Sequence, residues 1–268
     1  MLDGMQRVRG AARVRMTRRG LADLRQQGSA KALLPRVDGP DPEVVFLNTA
    51  GGVTGGDVLD YALDLDEGVR ATATTQTAER AYRASSGTGL IRTRLTAAAG
   101  AALDWLPQEL IAFDGARIRR ETQIDLAADA ALLCVDAVVL GRAAMGETVR
   151  AAHLDDLRTI RRSGALLHQE HLALTPAVLA HGAALDGARA FATLVLCQPG
   201  CADALGPLRA ALGGDGHASA WNGRLVARIA AADAAPLRRA LIRCIVALRG
   251  GGDPRAARGA VPRVWQVE

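Results

Sequence analysis

The chain has 268 residues, is 49% hydrophobic and 23% charged, and carries a net charge of +5. That composition suits one large globular domain or two small ones and excludes a disordered chain. Aromatic residues make up only 3%, and the arginines are scattered from Arg7 to Arg263 among Asp and Glu. Both facts weigh against a base-stacking platform and a clustered basic stripe for nucleic acid.

The first forty residues are polar and end in the turn cluster Asp38-Gly39-Pro40-Asp41-Pro42. A long stretch with strand character follows. Glu43 to Asn48 is a short apolar run, and Val58 to Leu65 sets Leu59, Tyr61, Leu63 and Leu65 against Asp60 and Asp64. Val69 to Gln76 is rich in β-branched Thr, which suits a strand. Leu90 to Thr96 alternates, and so does Ile118 to Leu126, where Arg120 and Thr122 share a face with Ile118, Ile124 and Leu126. Turn signals at Asp66-Glu67-Gly68, Ala99-Gly100, Asp114-Gly115 and Ala128-Asp129 separate these runs, as in successive hairpins or coils.

Ala130 to Leu140 is nearly continuously apolar and predicts a buried strand. Beyond Gly141 the pattern loosens. Arg189 to Cys197 and Leu225 to Ile229 read as strands, Ala202 to Leu212 as a short helix, and Gly213-Gly214-Asp215-Gly216 as a turn. The clearest helix runs from Ala234 to Arg249. Asp233 is its N-cap, Pro236 lies in its first turn, Leu237, Leu241, Ile245 and Leu248 form its apolar stripe, and Gly250-Gly251-Gly252 ends it. No repeat of fixed period is visible. The expected fold is mainly β, with stacked short strands in a β-helix-like or layered arrangement and a few α-helices, the longest near the C-terminus.

Four local features invite a chemical reading. Gly51-Gly52 and Gly55-Gly56, followed by Asp57, could cradle an anion. The Lys-Ser/Thr of a phosphate loop is missing and a strand follows, so a tight turn with positive φ is the simpler reading. Trp105-Leu106-Pro107-Gln108-Glu109 followed by Phe113-Asp114-Gly115 reads as an extended segment, a Pro-led turn and an Asp-Gly hairpin turn. Gly141-Arg142 follows the buried strand at the start of a loop. Asp136 shares a strand face with Leu132, Cys134 and Val138. A carboxylate there must be paired, hydrogen-bonded or facing a polar passage.

His168-Gln169-Glu170-His171 does not have metalloprotease spacing. On a strand its two histidines face opposite ways, so they are expected to be surface polar residues. The four cysteines are too few and too irregular for a disulfide framework. No apolar run is long enough to span a bilayer, and Met1 to Arg19 lacks the apolar core of a secretory signal, so the chain is expected to be cytoplasmic. No nucleophile elbow or Ser-His-Asp spacing stands out, which favours an interaction or chaperone role over an enzyme. The rival classes are a nucleotide-binding enzyme using Gly51 to Gly56 and a nucleic-acid binder using the arginines.

Taken together, several stretches resemble the UreD (UreH) family of urease accessory proteins. They are Phe46 to Asp57, Thr74 to Arg83, Trp105 to Arg117, Val138 to Arg142 with Gly146-Glu147, and Pro262-Arg263-Val264-Trp265. Two departures stand out: Thr49-Ala50, where the family often carries two prolines, and Ala143-Ala144-Met145 in place of Pro-Ala-Arg. The resemblance implies one UreD-like domain over residues 1–268 and a non-enzymatic scaffold for maturing a nickel hydrolase. Its implied partners are UreF, UreG through UreF, and the urease apoprotein, with no nucleic acid and no membrane. It also implies no tightly bound cofactor, with nickel passing through an internal tunnel. A conduit needs weak, exchangeable ligands, because a tight His or Cys site would trap this metal. Asp136, Glu170, Thr75 and Gln76 are therefore the expected passage residues.

Overall fold

The structure is a computed structural model that describes residues 7–37, 41–249 and 261–266. Two stacked sheets make the body. In chain order the strands are β1 (Arg9–Thr17), β2 (Gly20–Gly28), β3 (Ala30–Leu33), β4 (Glu43–Asn48), β5 (Val58–Leu65), β6 (Arg70–Thr75), β7 (Glu79–Ala81), β8 (Gly89–Ala97) and β9 (Ala102–Leu106). Then come β10 (Leu110–Ala112), β11 (Arg117–Leu126), β12 (Ala131–Leu140), β13 (His153–Arg162), β14 (Ala165–Leu174), β15 (Ala190–Cys197), β16 (Gly216–Trp221) and β17 (Arg224–Ala231). The α-helices are α1 (Pro176–Ala180), α2 (Gly182–Leu185), α3 (Leu205–Leu212) and α4 (Ala234–Arg249). Among the described residues no helix is long and apolar enough to cross a membrane.

The first sheet runs β14-β13-β11-β8-β5-β1-β2, and the second runs β16-β17-β15-β12-β9-β6-β4-β3 with β10 and β7 beside β12. From β4 to β13 the chain visits the two sheets in turn, and the neighbours so formed are parallel. This is the coil arrangement the turn spacing allowed. Parallel neighbours need a crossover, and here the crossover is the strand laid in the opposite sheet. Coil lengths vary: the paired Asp60 and Arg92 are 32 residues apart, Arg120 and Asp156 are 36 apart. Hence the sequence shows no fixed period.

Parallel registry stacks like positions on one another. Leu63, Leu95, Ile124 and Ile160 form one apolar rung across β5, β8, β11 and β13, and all four are buried. In β12 the side chains alternate between two cores. Leu132, Cys134, Val138 and Leu140 meet the first sheet. Leu133, Val135, Ala137 and Val139 meet α3, α4 and the C-terminal turn containing Trp265. The stripe on α4 is buried at Leu237, Leu241 and Ile245 with Ala240 and Cys244, while Leu248 packs at its margin. Asp233 accepts a hydrogen bond from the Ala234 N–H at the start of this helix. The expected Gly250-Gly251-Gly252 stop lies outside the described residues.

Several elements differ from the sequence expectation. The polar first forty residues hold β1 to β3. In β1 the buried Ala12, Val14 and Met16 alternate with Arg13 and Arg15, which pair with Asp64 and Asp66. β2 is an edge strand exposed along nearly all its length, so it has no apolar face to read. The loosened region after Gly141 holds β13 and β14, where charged residues on both faces hide the alternation. β16 begins inside the glycine-rich turn. Asp114-Gly115 is not a hairpin: it is a corner that carries the chain from β10 in one sheet to β11 in the other.

The glycine loop is conformational, as its simpler reading required. Gly51 and Gly56 have φ of 77° and 87°. Gly55 does not; its constraint is space, since an added Cβ would lie 2.1 Å from the Ser86 carbonyl oxygen. Asp57 closes the loop, one carboxylate oxygen accepting the Val8 N–H and the other the Thr54 N–H, each at 2.8 Å. Gly55→Ala should therefore lower stability by roughly 1–3 kcal/mol, the cost of overpacking against backbone. An unchanged urea midpoint for that variant would show that the loop can move aside.

Candidate functional site

The inner faces of the two sheets change character along the coils. Leu59 and Ile91 on β5 and β8 stack in register with Arg120 on β11 and Asp156 on β13. One residue pair further on, Tyr61, Thr93, Thr122 and Arg158 stack likewise, and Arg158 is in register with Glu170 on β14. From the opposite sheet Asp136 on β12 stands in register with Thr193 on β15, Arg228 on β17 and His217 on β16. Arg120, Asp136, Asp156, Arg158, Glu170 and Arg228 therefore meet between the sheets near β11 to β14.

Asp136 lies at their centre. Its Oδ1 accepts from Arg120 at 2.5 Å, and its Oδ2 accepts from Arg158. Arg120 also donates to Asp156, and Arg158 to Glu170 at 3.3 Å. Glu170 Oε1 in turn accepts from Thr193 at 3.1 Å and from Arg228 at 3.0 Å. Burial alone would push the Asp136 carboxyl up, but the Arg120 and Arg158 charges outweigh it and hold the group below the usual carboxylate range. For Asp156 burial wins, pushing it up to about 6, because Arg120 is shared and Asp136 adds like charge. Burial also opposes the charge on Glu170, yet the nearby His168, Arg158 and Arg228 hold it down at about 2.

Two cavities share this cluster. The outer one, about 700 Å³, is bordered by Glu170, Asp156, Thr193 and Arg228 and by α2. The inner one, about 60 Å³, is lined by Tyr61, Thr75, Glu79, Thr93 and Gln108. That inner volume has room for about two waters. Asp136 and Arg158 border both cavities. Glu79 had escaped sequence reasoning. Burial raises its carboxyl to about 7, against the amide that Asn48 donates at 3.2 Å.

Of the four expected passage residues, Asp136 and Glu170 flank Arg158, and Thr75 lies in the inner cavity, its Oγ1 accepting the Gln108 N–H at 2.9 Å. Gln76 is apart from them, exposed just beyond β6, with its backbone N–H donated to Phe46. Trp105 and Pro107 are buried, and Pro107 lines the inner cavity. His168 corrects an expectation: it is buried, 7% exposed, on the inner face of β14, while His171 points outward and pairs with Asp155 at 2.6 Å. The thiols of Cys134 and Cys197 are buried, and burial raises both to about 12, so they stay protonated. All four cysteines are free. Among the described residues no group of three or more His, Cys, Asp or Glu side chains is set to hold a metal ion.

The remaining motif residues form corners. Gly52 would carry a Cβ into the Tyr82 ring. Arg83 pairs with Asp114, whose Oδ1 accepts the Arg150 and Ala151 N–H groups. Gly115 and Gly141 turn with φ of 79° and 73°. Arg142 pairs with Glu147 at 2.8 Å and lies over the Phe113 ring. At the other side of the second sheet Trp265 donates its indole N–H to Leu106, and Arg238 bonds both Gln108 and Val264.

The family model described as UreD urease accessory protein matches residues 6–266. A Paracoccus denitrificans protein named Urease accessory protein UreD is 51% identical, the alignment covering 98% of this chain and 94% of the relative. Relatives of the same name from Dinoroseobacter shibae and Cereibacter sphaeroides are 52% and 54% identical over 98% of this chain, covering 94% and 92% of their own lengths.

Asp136→Asn leaves Arg120 and Arg158 buried without the carboxylate they share, so it should cost about 3–5 kcal/mol of stability. A variant with an unchanged urea midpoint would remove the bridge from the structural ledger. Glu79 gives a pH signature. Its folded value lies above its unfolded one, so its contribution is complete below pH about 4.5 and is lost as pH rises through about 7. Glu79→Gln should flatten that fall between pH 5 and 8, and an equally steep loss in the variant would place Glu79 in water.

Proposed function

The chain belongs to the UreD urease accessory protein family, and we propose that within it this protein serves as a non-catalytic scaffold for nickel insertion into the urease apoprotein, bridging that apoprotein to UreF and, through UreF, to UreG. The relatives are named accessory proteins, which supports a role in maturation rather than catalysis. No tightly bound cofactor is part of this reading; nickel is cargo in transit, and the cytoplasm is where the three partners would meet it.

The observation that carries the passage role is the pair of cavities joined at Asp136 and Arg158. Their walls offer carboxylates, hydroxyls and an amide, donors that hold a divalent cation loosely enough to release it. The protonated thiols of Cys134 and Cys197 would not compete for it. Glu170 stands at the wide side and Thr75 at the narrow side, with the Asp136 bridge between them. A cation crossing that waist would have to take carboxylate oxygens from Arg120 and Arg158, so the bridge acts as a closure that cargo must open.

The glycine loop supplies no competing function. The Gly51 carbonyl accepts the Tyr82 hydroxyl, the Gly52 carbonyl accepts the Asn48 amide, and β5 follows where a phosphate loop would open a helix.

Thr93→Leu tests the passage without touching a charge. Thr93 is buried and lines the 60 Å³ cavity, which the larger side chain would fill. The variant should still co-purify with UreF and the urease apoprotein, while the urease it matures carries several-fold less nickel. Full nickel loading by a folded, complex-forming variant would sink the passage role; loss of the complex from Thr93→Leu but not from Thr93→Val would mean that the site is structural.

A further inference from the structure

The two sheets do not end together. Glu170 on β14 bonds Thr193 on β15 and Arg228 on β17, so the last strand of the first sheet lies over β15 and β17. Beyond it the second sheet continues through the rest of β17 to β16, and among the described residues no strand of the first sheet lies opposite. Each sheet stops at a strand paired on one side only: β14 pairs with β13, and β16 with β17. A cleft of about 700 Å³ fills the step between them.

The cleft is rigidly framed. β16 and β17 are joined by Asn222 and Gly223, with φ of 46° and 75°, the positive pair of a tight primed hairpin turn. In register across that hairpin, Trp221 stands beside Arg224 and Ser219 beside Val226, all bordering the cleft. The Arg224 guanidinium lies 4.5 Å over the Trp221 ring, and Trp221 is 42% exposed. Leu166 on β14 faces the same space and is 58% exposed.

The charge is one-sided. Arg224, Arg228, His168 and His217 border the cleft, and no Asp or Glu is among the described residues lining it. Two polar atoms of its lining residues are buried without a hydrogen-bond partner, Arg224 Nε and His168 Nε2. His168 Nε2 stays 4.0 Å from the nearest Glu170 oxygen, beyond hydrogen-bond reach.

We propose that this cleft docks an extended acidic peptide segment of a partner protein, added as one further strand beside β14. The main-chain groups of such a strand would meet the free edge of β14. Its alternate side chains would point onto β16 and β17, apolar ones onto Trp221 and Val226 and carboxylates onto Arg224 and His168. The cleft shares His217 and Arg228 with the outer cavity assigned to nickel, whereas Arg224 and Leu166 border the cleft alone, so substitutions at those two residues test the docking role apart from the passage role.

The test uses the whole chain and a fluorescein-labelled peptide Val-Ser-Glu-Ser-Val-Ser-Glu, whose odd positions set Val and Glu in turn on one face, titrated by anisotropy; the Val–Lys control replaces each Glu by Lys. The Val–Glu peptide should bind saturably, and a Val–Lys peptide at least about tenfold more weakly, because charge selects the partner. Arg224→Glu should reverse that preference, and Leu166→Asp, on the other wall, should weaken Val–Glu binding without changing the thermal midpoint. Amide exchange at Leu166 to Glu170 should slow when the peptide is bound. No saturable binding up to millimolar peptide, or binding indifferent to both substitutions, would overturn the proposal. So would concentration-dependent dimerisation by light scattering that excludes the peptide, since the occupant would then be a second copy of this chain.

Discussion

Everything near the centre of this protein depends on one carboxylate that two arginines share. Asp136 accepts from Arg120 and Arg158 at once, on a β12 face that is otherwise apolar. Buried charges are expensive unless fully paired, and a pair replaced by fitted hydrophobic residues is commonly no less stable. The same rung shows the cheaper solution two coils earlier, where Leu59 and Ile91 occupy the positions that become Arg120 and Asp156. The fold can therefore build an apolar rung at this level. Its last coils carry ions instead, a contrast that packing alone does not require.

The pairing also limits what the site can be. Asp136 has both oxygens engaged, Glu170 is shared among Arg158, Arg228 and Thr193, and the neighbouring thiols are held protonated. None of these is a ready ligand for tight metal storage. What remains is a set of exchangeable contacts around small polar cavities, with Asp156 the exception: its Oδ1 is buried without a partner beside the shared waist.

How much of this could be read from the residues varies with position. The alternation in Val58–Leu65 and Ile118–Leu126 placed whole strands, and it also put Arg120 on the inner face. Asp136 was legible for the same reason, a lone acid in an apolar run. β13 was not, because Asp155, Asp156, Arg158, Arg161 and Arg162 spread charge over both faces. Yet Leu154, Asp156, Arg158 and Ile160 do recur as buried positions at every second residue, although Thr159 is buried as well, and the Ser163-Gly164 turn behind them was the missed signal. Glu79 was beyond sequence reasoning: it sits on a three-residue strand, and only the packing of β5 and β8 over it makes its burial visible.

The motifs that carried the family resemblance acquire a common physical cause. Val53, Ala81, Ala112 and Leu140 form one ladder, made by the bridge from Val53 to Ala81 and the parallel pairing of β7, β10 and β12. Each rung ends in a corner, and the corners touch: Gly51 with Tyr82 across 31 residues, Arg83 with Asp114 across 31, Asp114 with Glu147 across 33. Glycine, aspartate and arginine recur there because a chain leaving one sheet for the other must turn sharply, cap the freed N–H groups and bind to the next corner. Such residues look like a catalytic constellation in a linear sequence. In three dimensions they are the spine that keeps successive coils in register, and so keeps Arg120, Asp136 and Arg158, contributed by three different strands, within reach of one another.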